Sequence, residues 1–345
     1  MRKVFLTFVV VIISITNIFA QSTLVATLTH GTDITMYYGT TALQSAHNAA
    51  TSGDVINLSG GSFLAANITK GIVIRGTGID DAFPTVITNN FKIVISEDDE
   101  NSFSMEGVSC SGTMTLGGSF EKPIFIKSKF KEIRHESSSS IKKISFVNCK
   151  ITDGYFSYGS NSLLFANCFI SFASNGTISN TSSASFSNCT INFSDAYSSG
   201  HKGSITYVNN CQFINSILTG SHFSFDNNKK SKLPTTCSGL NCIAVNFTNP
   251  FADGQGAFVD CQTNLTFDSV FKTYTGTYAD TQTFELTDEA KAAYLGIDGK
   301  EVGIYGGDYP YTSTPSYPQI TKMDVSKKAS ADGKLNVEIE VNAAE

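Results

Sequence analysis

The feature that most restricts what this chain can become is a phrase that returns at a nearly fixed interval. Residues 144–151, 163–170, 184–191 and 206–213 superimpose, each with Asn followed by Cys at the same place: Asn148-Cys149, Asn167-Cys168, Asn188-Cys189 and Asn210-Cys211. The Cys-to-Cys steps are 19, 21 and 22 residues, and a fixed period near 20 residues marks a solenoid. Apolar residues fall mostly five and three positions before Cys and two positions after it. The positions before Asn alternate in one parity and those after it in the other. The pleat must therefore break at Asn while the apolar side stays inward. Asn suits such a break because it tolerates the left-handed backbone region. Each repeat reads as strand, Asn bend, strand and a looser polar return. Coiled once per repeat, this gives parallel sheets with rungs about 4.8 Å apart.

The fold class expected is all-β: a right-handed parallel β-helix of nine or ten rungs, with a short N-terminal capping helix and a C-terminal β-hairpin extension. Asn148, Asn167, Asn188 and Asn210 form the expected structural ladder, with Cys149, Cys168, Cys189 and Cys211 stacked beside them as small buried hydrophobes. Disulfides between neighbouring rungs are the alternative. Eight Cys in an exported chain invite that reading, and a bond among Cys237, Cys242 and Cys261 stays open. Outward, the repeat is expected to continue at Cys110, at residues 124–129, at 223–228 with Asn228 in the Cys place, and at Cys261.

An open solenoid needs caps, because exposed strand edges recruit other chains. Thr41 to Gln44 has the spacing of a capping box and opens a helix with Leu43, Ala46 and Ala50 on one face. His47 is expected at that helix's surface. The run 42–63, with Gly53-Asp54, Ile56, Leu58, Gly61 and Phe63, resembles the opening of proteins in the pectate-lyase-like β-helix superfamily. The resemblance covers roughly residues 40–265 and is specific for fold rather than activity. Residues 296–318 resemble the closing segment of bacterial secreted β-helix proteins. Residues 320–325 and 335–341 alternate like two strands joined through Asp332-Gly333. The division expected is a signal peptide over 1–20, the capped β-helix over 21–310 and the hairpin extension over 311–345.

Residues 1–20 combine a basic start, an apolar run from Val4 to Ile18 and small Ala20 before Gln21, the pattern of a cleaved export signal. The expected localisation is secreted, periplasmic or cell-surface, with no membrane span after cleavage. A net charge of −6 with few charged residues excludes a basic nucleic-acid surface. The absence of Trp, 26 Phe and abundant Ser, Thr, Asn and Gly suit strands and turns.

Chemistry is sparse. Lyases on this fold need carboxylates for Ca²⁺ and an Arg or Lys base, which the resemblance would place on successive rungs. No Asp ladder appears, so no cofactor or metal is expected; Ca²⁺ belongs only to the lyase alternative. Glu97-Asp98-Asp99-Glu100 reads as a solvated turn. Lys127, Lys129 and Lys131 alternate and form a candidate cationic strip for an anionic glycan, with Arg134, His135 and Glu136 as the catalytic candidates if the protein is an enzyme. Tyr155, Tyr158 and Tyr197 are candidate sugar-stacking residues in loops, and Phe156 is expected to close the core. Two functional readings result. The favoured one is a non-catalytic secreted or surface scaffold that binds glycans or acts as an adhesin. The other is a carbohydrate-active enzyme, a polysaccharide lyase or glycoside hydrolase.

Overall fold

The computed structural model describes residues 24–342 apart from 81–83, 97–101, 137–138, 158–161, 173–176, 180, 194–203, 207, 221–222, 226–227, 231–232, 249, 252–256, 326–331 and 335–336. The chain is a right-handed parallel β-helix. Its first sheet has twelve strands. Ten of them, from Val55–Leu58 to Phe258–Val259, run parallel in chain order. The second sheet has fifteen strands and forks through the long strands Val108–Gly118 and Lys129–His135. One arm follows each bend, and the other carries the return strands such as Gly154–Ser157 and Thr177–Ser179.

The bends are where the pleat breaks. Asn148, Asn167 and Asn188 have φ of 54°, 50° and 50°, the left-handed region that Asn enters most readily among residues bearing a Cβ. Directly before the bend runs a ladder of rings, Phe125, Phe146, Phe165, Phe186 and Phe213. Neighbouring rings stack 4.9–5.2 Å apart and within 13° of parallel.

Cys149, Cys168 and Cys189 follow the bend, fully buried, and they do more than fill space. Each thiol donates to the carbonyl two residues back, as Cys168 Sγ to Ala166 O at 3.2 Å, and to a carbonyl of the rung before, Phe146 O at 3.4 Å. Its sulfur also accepts the N–H of the preceding rung, Cys149 N at 3.4 Å. A buried backbone N–H at a sheet corner needs such a partner.

The fourth repeat is out of register with the expectation. Cys211 opens the first-sheet strand Cys211–Ile214, beside Ala184, and Asn210 precedes that strand at the surface. The bend residue is Asn215, φ 50°, followed by Ser216. Ser216 takes the thiol's place: its hydroxyl donates to Ile214 O at 2.8 Å and accepts from Cys189 N–H at 3.1 Å. Val108 and Ser128 hold the equivalent place upstream, so Cys110 lies two residues further along its strand than expected. Residues 223–225 and 228–230 are a small antiparallel hairpin rather than a rung. The next rung begins at Cys237 and bends at Asn241, and the last described rung bends at Asp260. All eight cysteines are free thiols.

At the N-terminal end, the hairpin Val25–His30 and Asp33–Tyr38 extends the first sheet antiparallel. The helix Ala42–Ala49 buries Ala42, Leu43 and Ala46. Its capping box is absent, because Thr41 makes no side-chain cap bond and Gln44 Oε1 instead accepts from Asn67 N–H. His47 is buried rather than at the surface, 3 % exposed, with Nε2 accepting the Thr69 N–H at 3.1 Å.

The last described rung ends at Leu265. Residues 266–318 then turn back and run along the flank of the coil towards its N-terminal end. This strap covers outward-facing Phe169, Ile217, Ile243 and Val245 with Val270, Phe271, Phe284, Leu286, Val302 and Ile304. Two strands, Gln319–Val325 and Val337–Asn342, form the expected terminal antiparallel hairpin.

Candidate functional site

The outward column of the second sheet decides where a site forms. Register places Lys129, Lys150, Phe169, Thr190, Ile217 and Ile243 side by side on successive rungs. The strap dries the apolar half of this column. Phe169 stacks on Phe284 at 4.2 Å and on Tyr278 at 5.0 Å. Bend asparagines hold the strap by its backbone: Asn167 donates to Ile304 O at 3.0 Å and Gly306 O at 2.8 Å, and Asn241 donates to Leu295 O at 3.2 Å. Asn215 Oδ1 accepts Ile297 N–H at 3.1 Å, and its carbonyl accepts Gly303 N–H. Gly307, φ 78°, passes so close to Asn188 that a Cβ there would collide with it. The far end is pinned where Ser316 N–H donates to Glu106 Oε1 at 2.5 Å, Tyr317 hydroxyl donates to Gly76 O, and Arg75 lies over the Tyr317 ring at 5.3 Å.

Where the column turns from Phe169 to lysine, the strap lifts and leaves a cleft of about 640 Å³. Its floor is Lys129 and Lys150 from the coil. Asp80 comes from the loop between the first-sheet strand Val73–Arg75 and the second-sheet strand Thr85–Thr88. The strap supplies Asp280, Thr281, Gln282 and Thr283 on one wall and Tyr305, Tyr311, Thr312 and Ser313 on the other. The charges are matched in pairs. Lys129 Nζ lies 2.8 Å from Asp280 Oδ1, and Lys150 Nζ lies 3.3 Å from Asp80 Oδ2. The Lys150 side chain is only 7 % exposed, and its ammonium sits 5.4 Å from the Tyr311 ring centre, a cation–π contact that helps hold a charge out of water.

Electrostatics sort the groups by proton affinity. The hydrogen bond from Lys129 holds the Asp280 carboxyl below its ordinary value. Burial pushes the Tyr305 and Tyr311 phenols up, as it does Tyr278 with the help of nearby Asp280. Tyr311 hydroxyl is buried without a hydrogen-bond partner among the described residues. Asp280 is thus held ionised and the phenols protonated near neutral pH, beside an array of side-chain hydroxyls and an amide.

The residues expected from sequence are dispersed. Lys127, Lys129 and Lys131 do not make one strip, because the chain does not keep a single pleat through them. Lys127 is itself a bend residue, φ 45°, 7 % exposed, and desolvation lowers its ammonium pKa against the pull of Glu106. Lys129 points into the cleft, and Lys131 is exposed at the next corner. Arg134 is on the outside of the return arm, its Nε 2.5 Å from Glu132 Oε1. His135 is 5 % exposed, facing the interior with Ser139 Oγ 3.3 Å from its ring nitrogens. Glu136 pairs with Lys92 at 2.7 Å. These three residues converge on no common point in the cleft. Tyr155 lies beside Arg134 on the return arm, half-buried, and Phe156 is core as expected. Tyr158, Tyr197 and the acids at 97–100 lie outside the described residues, as does the signal segment.

Sequence reasoning missed Asp80, Lys150, Asp280, Tyr305 and Tyr311. Lys150 and Phe169 were visible as the outward residue next to each ladder Cys. An apolar Phe facing out beside a Lys signals a covered surface with an edge. Among the described residues, no group of three or more His, Cys, Asp and Glu side chains is arranged to hold a metal, and no helix is long and apolar enough to cross a membrane. Compared with protein-family models and with curated proteins, the chain matches none.

Proposed function

We propose that this chain is an exported, non-catalytic β-helix scaffold that binds glycans in the cleft between its coil and its strap. The observation that carries the reading is the cleft's composition: two ion pairs, two tyrosine rings and five neutral hydrogen-bonding side chains around about 640 Å³. Ligand sites of this size are concave, with a few placed polar groups, and sugars offer hydroxyls to such groups and ring faces to aromatics. The export pattern at residues 1–20 and the resemblance of residues 42–63 to the pectate-lyase-like superfamily support the same reading. Glycoside cleavage by a carboxyl pair needs one acid whose pKa is raised, and Asp280 is shifted down.

The test is a screen of the mature chain against plant, animal and microbial polysaccharides, recording both retention and release of reducing or unsaturated ends. Retention without release is expected, and Lys150→Met should abolish it. Product release would overturn the non-catalytic reading in favour of a lyase or hydrolase, and would direct mutagenesis to Asp80 and Asp280.

A further inference from the structure

The lysines of this cleft look at first like a trap for an anionic sugar, but their partners argue otherwise. Each ammonium is already matched by a carboxylate, Lys129 by Asp280 at 2.8 Å and Lys150 by Asp80 at 3.3 Å. The Lys150 side chain is 7 % exposed and lies over Tyr311, so it has little freedom to swing towards a new anion. An incoming uronate or sulfate would have to displace an aspartate from its lysine and then lie beside it, and like charges brought together in a partly desolvated site oppose binding. A sugar hydroxyl meets neither obstacle. It donates to a carboxylate oxygen and accepts from an ammonium, leaving both ion pairs intact. Thr281, Gln282, Thr283, Thr312 and Ser313 add neutral donors and acceptors with no charge preference.

We propose that the cleft selects uncharged glycans and rejects uronate and sulfated ones, with Asp80 and Asp280 as the specificity-determining residues. This inference rests on the glycan-binding reading above and adds the class of sugar. Discrimination works by repulsion as much as by attraction.

The experiment measures binding by calorimetry of the mature chain with cellohexaose, mannohexaose, xylohexaose, chitohexaose and hexagalacturonate. At least one neutral hexamer binds, and hexagalacturonate binds at least about tenfold more weakly. Asp280→Asn, at a side chain 72 % exposed, removes one fixed negative charge and releases Lys129. It should narrow or invert that ratio while the melting temperature holds. Arg134→Ala, on the opposite arm, should leave every affinity unchanged. Hexagalacturonate binding as tightly as the best neutral hexamer in the wild type, or a ratio unmoved by Asp280→Asn, overturns the selectivity while sparing the glycan reading. Failure of all five probes to bind overturns both.

Discussion

At the residue scale, Cys168 shows why a thiol recurs in this coil. Its sulfur receives Cys149 N–H and its proton goes to Ala166 O and Phe146 O, so it closes a backbone hydrogen bond where the sheet turns. Serine performs the same task at 216. Cys168→Ser should therefore be nearly neutral. Cys168→Ala should cost about 1–3 kcal/mol by stranding a buried N–H, measured by urea unfolding. Equal losses in the two variants would mean that packing alone selects the thiol. Among the ladder thiols, burial pushes Cys149 and Cys189 up, whereas Cys168, against its burial, is drawn down by hydrogen bonds with those two neighbours; off the ladder, burial pushes Cys110 to about 12. His47 supplies a pH dependence. Its pKa falls from 6.5 to about 4, through burial first and Lys70 second. A group depressed in the folded state binds its proton more readily when unfolded, so its contribution is fully present above about pH 6.5 and is lost as pH falls towards 4. His47→Gln should flatten the stability profile between those two values. A profile that stays steep would assign the acid sensitivity to another group.

At the element scale, the strap is the least expected part of the molecule and the part that makes the site. A single sequence phrase specifies the coil: Phe fixes the inner face, Asn the bend, Cys the corner bond. That is why three of the four central repeats could be placed from residues alone. The fourth slipped because the reading followed Cys. Cys211 offers the same side chain five residues early, while the phrase itself continues as Phe213-Ile214-Asn215-Ser216. Asn215 carries both duties of the bend, a left-handed φ and an acceptor for Ile297 N–H. Asn215→Ala should cost about 1–2 kcal/mol and loosen the strap. Limited proteolysis should then cut within residues 295–307 first, and an unchanged cleavage pattern would deny the bend its docking role. The strap itself was hidden for a physical reason. Its contacts with the coil lie 54 to 139 residues apart in sequence at Asn241 and Asn167, have no period, and depend on close backbone approaches such as Gly307 to Asn188.

At the scale of the whole molecule, the coil is a rigid ruler and the strap is laid along it. Where both are apolar they seal, and where the ruler turns to lysine they part. Phe169 sits at that boundary. Phe169→Ala would remove the ring that Phe284 and Tyr278 stack on, costing about 3–5 kcal/mol and dislodging Asp280 and its neighbours, so glycan binding should fall with stability. The candidate site was only part-legible for the same reason that the strap was not. Lys129 was visible beside its ladder position, but Asp280 and Tyr311 reach the cleft only through the long return of the chain, and Asp80 reaches Lys150 from a loop 70 residues upstream.

The measurement that tests this arrangement most directly is hydrogen exchange of the mature chain with and without the tightest-binding oligosaccharide. Protection should rise at residues 279–283 and 305–313 and around Lys129 and Lys150, with the return arm near Arg134 and Tyr155 unchanged. Protection confined to that return arm, with the strap exchanging as before, would contradict a binding site built between strap and coil.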